Sequence, residues 1–212
     1  MKKLSLVLLT ISLFVMSSCG PQIYKAATFE QVRESQKQLA ILPFDATLDT
    51  KRLPKGITAE TVAASNKSTG YSVQSSCYSF FLKEMSKNRY TIDFQDIDKT
   101  NSILTKAGIT YEDIATKDKS ELCQLLGVDG VISGKILMSK PMSEGAAIAV
   151  GILVGAWGAT NKTDVSMTIH DKKDSKLLWK YDYLAQGSVG SSPEQLARAL
   201  MRNVSKKFTY KR

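Results

Sequence analysis

Three cysteines and one histidine are the side chains of this chain best suited to covalent or acid–base chemistry. A hydrolase needs a nucleophile, a base and an orienting group within hydrogen-bond reach. His170 is the one imidazole, and it stands beside Asp171 on what reads as the polar face of a strand, where a histidine is solvated. No nucleophile-elbow or Ser-x-x-Lys pattern accompanies it, and the sequence has no HExxH, CxxC or clustered His/Cys metal spacing. Gly127, Gly130 and Gly134 surround a strand start with no helix behind it, unlike a loop that cradles phosphate. The chain therefore reads as a non-enzyme without cofactor or metal. Cys77 and Cys123 lie in apolar helical contexts, where a free cysteine behaves as a small buried hydrophobe. A disulfide between them is permitted in an oxidising compartment, and sequence alone leaves open whether their Cα atoms come within bonding reach.

Cys19 is a different case. Met1-Lys2-Lys3 makes a basic start, and the run from Leu4 to Met16 is apolar except for Ser5, Thr10 and Ser12. Ser17 and Ser18 follow, then Cys19. Charge, apolar stretch and small residues make a secretory signal too short to span a bilayer permanently. A cysteine directly behind the small residues resembles a bacterial lipobox, with Met16 where Leu is usual. That resemblance implies that the thiol is lipidated (palmitate and related acyl chains) and that the mature chain begins at Cys19. Each buried methylene contributes about 0.8 kcal/mol, so several acyl chains hold a domain on a membrane without a transmembrane helix. Gly20 in place of an acidic residue implies, by the same resemblance, transfer to the outer membrane. No acidic cluster follows Cys19, so a periplasm-facing domain is expected.

The mature part has 194 residues, enough for one domain with a substantial core. The formal charge is +9, and removing Lys2 and Lys3 leaves +7. Such an excess suits an anionic neighbour. The basic residues are dispersed among acids and the compartment argues against nucleic acid, so a solvated surface is the reading. The last helix carries Arg198, Arg202 and Lys206 at intervals of four, again as a solvated face with positive charge near its carboxyl end.

The elements that must position these residues follow from periodicity. Residues 1–18 are signal peptide, 19–38 a lipidated tether, and 39–212 one α/β domain with an apolar insert at 144–160. Within the tether, Thr28 and Gln31 are set to form a capping box for a short helix, Phe29 to Glu34. Leu39 to Leu42 is a compact apolar strand closed by Pro43, and 46–70 reads as a long loop with a helical turn near 59–64. Ser72 would cap a helix whose stripe is Val73, Cys77, Phe81 and Met85. Tyr90, Ile92 and Phe94 alternate as a strand. Three short helices follow, with Gly108 and Gly127 as stops. A strand over 129–138, a hairpin of 163–169 with 177–184, and a helix started by Ser192 and Pro193 complete the order. The expected fold is an α/β sandwich: a four- to five-stranded mixed sheet with helices packed on it.

Three local patterns in that order carry a resemblance. They are Ala40-Ile-Leu-Pro-Phe44, Leu126-Gly-Val-Asp-Gly-Val-Ile-Ser-Gly-Lys135, and Ile169-His-Asp171 with Leu177-Leu-Trp179. Over roughly 39–210 they resemble the CsgG-like and LpoB-like lipoproteins, whose fold is similar to the amino-terminal domain of TolB. The resemblance implies a scaffold or regulator of envelope assembly with an envelope protein partner (LpoB-like). Its alternatives are a subunit of an outer-membrane secretion assembly (CsgG-like) and a protein that binds an envelope ligand. Homo-oligomerisation stays open. The stretch from Ala146 to Ala159 has no charged residue. It is shorter than the about 20 residues of a membrane helix, and it gives one apolar block where a transmembrane hairpin needs two strands. Ile148, Val150, Ile152, Leu153, Val154 and Trp157 are its candidates for membrane or partner contact, with core packing the competing reading.

Overall fold

A computed structural model describes residues 22–49, 57–139, 162–186 and 192–212. The strands are β1 (Gln22–Lys25), β2 (Gln38–Ile41), β3 (Asp45–Asp49), β4 (Asp93–Phe94), β5 (Gly130–Ser139), β6 (Lys162–Asp171) and β7 (Leu177–Gln186). The helices are α1 (Phe29–Ser35), α2 (Ala59–Met85), α3 (Ile97–Lys106), α4 (Tyr111–Thr116), α5 (Lys119–Leu126) and α6 (Pro193–Lys207).

All seven strands join one mixed sheet, in the order β1-β7-β6-β5-β2-β4 with β3 also on β5. The two strands beyond the expected four or five are short and lie where periodicity gives little signal. β1 pairs antiparallel with β7, Gln22 opposite Asp182. The stretch 19–38, expected as tether, thus enters the sheet at Gln22, and Phe29 is fully buried in the core. Thr28 flanks α1 but makes no side-chain cap, so the expected capping box is not formed. The other extra strand is β3. Pro43 interrupts β2, as expected, but the chain returns to the same neighbour, with Ala40 opposite Val131 and Ala46 opposite Ile136.

The segment read as a loop over 46–70 holds β3 and the first half of α2. Thr58, not Ser72, caps that helix, accepting from the Thr61 N–H. Gly70 inside it hid the continuity in sequence. Its presence has a packing reason: a Cβ there would lie 2.1 Å from the Phe44 carbonyl oxygen. Of the Tyr90–Ile92–Phe94 alternation only Asp93–Phe94 pairs as strand, although all three apolar residues are buried. Elsewhere local chemistry gives the expected element. Thr110 and Asp113 form a capping box, Gly127 ends α5 at φ 68°, and Ser192 caps α6 with Pro193 in its first turn.

The pleat divides the core. Leu39 and Ile41 face one cluster with Val73, Cys77, Phe81, Trp179 and the stripe of α6, Leu196, Leu200 and Val204. Ala40 and Leu42 face the other side, where Leu104, Ile114, Leu122, Cys123 and Val131 form a smaller cluster. The sheet is thus covered by α1, α2 and α6 on one face. On the other, α3, α4 and α5 cover only part of it. Toward β6 and β7 that second face is polar, with Ser166, Thr168, Lys180 and Asp182 half-buried or more exposed.

Candidate functional site

The step where α4 and α5 end and the bare sheet begins forms a half-open cleft of about 570 Å³. Its floor is the polar face of β5, β6 and β7: Ser133, Lys135, Ser166, Thr168, His170 and Lys180. Tyr111, Ile114 and Lys119 make the helical wall, and Pro43 and Asp45 close one side. Register sets these neighbours. Ser133 lies opposite Thr168 and Thr168 opposite Lys180, and the Ser133 and Thr168 hydroxyls are hydrogen-bonded at 2.9 Å. Gly134 lets the sheet close over Phe44 beneath.

His170 is not the solvated residue its strand position suggested. It lines the cleft, and its Nδ1 is buried without a hydrogen-bond partner among the described residues. Burial, helped by the positive charge of Lys119, holds its pKa below the ordinary imidazole value. The Lys119 ammonium is itself half-buried, and burial lowers its pKa. It donates to the carbonyl oxygens of Ile114 at 2.6 Å and Lys117 at 3.1 Å, closing the carboxyl end of α4. The Tyr111 hydroxyl donates to the Phe44 carbonyl at 2.6 Å and accepts from the Ala46 N–H at 2.9 Å, so it serves the β2–β3 break. Burial pushes its pKa up to about 12. Lys180 pairs with Asp182 at 2.9 Å. Lys119, Lys135 and Lys180 line the cleft with Asp45, Lys180 being held by Asp182 and Lys119 by backbone carbonyls. Among the described residues no hydroxyl of the cleft is hydrogen-bonded to His170 or to a lysine of the cleft.

A second cluster lies beside the cleft, at the hairpin-turn end of the strands. Asp129, from the Leu-Gly-Val-Asp pattern, accepts from the backbone N–H groups of Lys37 at 2.7 Å and Gln38 at 3.1 Å. Its other oxygen accepts from Lys172 at 2.5 Å. Burial alone would raise its pKa, but these donors, Lys172 foremost, hold it below the carboxylate range. Gln36 donates to Asp171 at 2.8 Å and to the Asp129 carbonyl at 3.1 Å, and it accepts from the Tyr210 hydroxyl. The motif is a clamp joining β2, β5, the hairpin turn and the carboxyl-terminal tail.

Cys77 and Cys123 are both free and buried. They sit in clusters on opposite faces of the sheet, which is why the permitted disulfide does not form. Burial raises both thiol pKa values, that of Cys123 to about 12. Cys19 and the block 144–160 with Ile148, Val150, Ile152, Leu153, Val154 and Trp157 lie outside the described residues. Among the described residues no helix is long and apolar enough to cross a membrane, and no group of three metal-ligating side chains comes together.

No protein-family model and no curated protein matches the chain. Solved structures do resemble it in overall arrangement. The lipoprotein GNA1162 from Neisseria meningitidis is 14% identical, with a TM-score of 0.45 over 81% of this chain and 96% of that one. The PelC dodecamer from Paraburkholderia phytofirmans is 11% identical, with a TM-score of 0.43 over 87% of this chain and 93% of that one. The LpoB C-terminal domain from Salmonella enterica is 7% identical, with a TM-score of 0.39 over 74% and 92% of the two chains. Similarity at this level is to a mixed α/β arrangement and does not extend to activity.

Proposed function

We propose that the chain is a lipid-anchored bacterial lipoprotein, facing the periplasm from the outer membrane, that acts without catalysis as a scaffold or regulator of envelope assembly. Its lipid is carried by Cys19, and its work is done through contacts with an envelope protein. The observation that supports a non-catalytic role most directly is how the reactive side chains are used. Both internal thiols are buried with raised pKa values, and the lone imidazole has no hydrogen-bond partner at Nδ1 among the described residues. A nucleophile needs an activating neighbour. The resemblance of Met16-Ser-Ser-Cys19 to a lipobox supplies the anchor, and the three patterns shared with LpoB-like lipoproteins supply the role.

The experiment is complementation in a strain lacking the chain and showing an envelope defect. His170→Ala is expected to restore the envelope, whereas Cys19→Ala, lacking the anchor, is not. Failure of His170→Ala in a folded protein would contradict the non-catalytic reading.

The alternative is a CsgG-like subunit of a secretion assembly, a reading that would need the uncharged stretch from Ala146 to Ala159, part of the connection between β5 and β6, to enter the membrane. Light scattering of the detergent-extracted protein separates the two: a discrete ring-sized oligomer supports the assembly, a monomer or dimer the scaffold.

A further inference from the structure

Strand direction fixes where the chain's attachments emerge. β3 runs parallel to β5, with Asp49 opposite Ser139. β6 runs antiparallel, with Lys162 opposite Ser139, and β7 returns, with Gln186 opposite Lys162. β3, β5 and β7 therefore finish, and β6 begins, at one end of the sheet. β1 is antiparallel to β7, with Gln22 opposite Asp182, so the chain before Gln22 leaves toward that same end. The opposite end carries the Lys172–Asp174 turn and the Asp129 clamp.

We infer that the end of the sheet marked by Asp49, Ser139, Lys162 and Gln186 faces the bilayer, which holds the domain close against its surface. The inference rests on the lipidation of Cys19 proposed above. Only Gly20 and Pro21 separate Cys19 from Gln22. Three peptide steps reach at most about 11 Å, so the acylated residue stays within that distance of the first strand. The sheet cannot stand off the membrane on a long tether. Two of the large exposed apolar side chains, Leu137 and Leu184, lie near this end. Leu137 and Leu184 flank Asp164 in one row across β5, β6 and β7, two residues from the end. Lipid and exposed apolar side chains thus converge on one end, as a membrane-facing surface requires.

The test places a fluorophore at single introduced cysteines in the full-length lipidated protein, reconstituted in phosphatidylethanolamine/phosphatidylglycerol vesicles that contain an acceptor lipid. Cys77 and Cys123 are buried and escape labelling in the native state. Lys162→Cys and Leu184→Cys mark the membrane end; Lys173→Cys and Leu125→Cys mark positions away from it. β6 has ten residues and spans about 30 Å, enough to resolve its two ends. Energy transfer to the bilayer several-fold stronger from positions 162 and 184 than from 173 and 125 is expected. Equal transfer from all four, stronger transfer from 173 or 125, or none from any, in protein whose mass shows the acyl chains, would overturn the orientation while leaving the anchor intact. A mass without acyl chains would overturn both.

Discussion

Gly134 lies against the ring of Phe44 so closely that a Cβ at that position would stand 2.2 Å from the ring's Cε1 and 2.3 Å from its Cδ1. Phe44 is fully buried, and its backbone N–H donates to the carbonyl of Gly70 at 3.2 Å, so the ring has little freedom to retreat. The central glycine of the β5 pattern is thus the counterpart of the phenylalanine in the β2 pattern. Forcing extra carbon into a packed core costs about 1–3 kcal/mol. Gly134→Ala should lose stability toward the upper part of that range in urea unfolding. An unchanged midpoint would mean that the sheet can open over Phe44 without cost.

Asp129 ties β5 to the backbone entering β2. Charge-assisted hydrogen bonds of this kind contribute about 1.5–3 kcal/mol, less where solvent reaches them as it does here. Asp129→Asn should therefore destabilise the fold by about 1–2 kcal/mol at neutral pH. Its carboxyl pKa is lowered in the folded state. Its stabilisation is accordingly full above the unfolded carboxylate pKa and lost as pH falls through the folded value. The stability gap between wild type and Asp129→Asn should shrink on acidification across that window. A gap constant with pH would show that the charge contributes nothing.

How much of this was legible in the sequence depended on whether a residue's neighbours were near in the chain. Caps and stops were readable, because Thr110 with Asp113, Gly127, and Ser192 with Pro193 act within a turn of where they stand. β6 was readable because it alternates over its length, and β7 because a short turn joins its apolar run to β6. β1 and β3 were not, since four- and five-residue segments gain their strand character from β7 and β5, far along the chain. The cleft was hidden for the same reason. His170 alternates with buried residues as a surface position should, and only the packing of α4 and α5 beside it withdraws it from water. The burial of Cys77 and Cys123 was foreseen from their apolar settings, but that they lie on opposite faces of the sheet required the strand pleat.

His170 offers a clean probe because it is the chain's single histidine. Burial first, then Lys119, lowers its pKa, so it is neutral in the folded protein at neutral pH. Its proton resonances should titrate with a midpoint below that of an exposed imidazole. The sign for stability follows: the folded state prefers the neutral ring, so stability is full above the unfolded imidazole pKa and falls as pH drops below it. A midpoint at or above the value for a free imidazole would place the ring in solvent and dissolve the cleft as described.

The two internal thiols give a fourth check. Native protein should react negligibly with a thiol reagent, and Cys77 and Cys123 should both react once denatured without reductant. Only the thiolate is nucleophilic, and burial suppresses it at both sites. Absence of free thiols after denaturation would show a bridge across the sheet, incompatible with this packing.

The central claim, that a lipid on Cys19 holds this sheet at a membrane, is tested most directly by the intact mass of full-length protein extracted from bacterial membranes. A chain beginning at Cys19 and heavier by its acyl chains is the expected result. A chain still carrying residues 1–18, or cut elsewhere with an unmodified Cys19, would contradict the account.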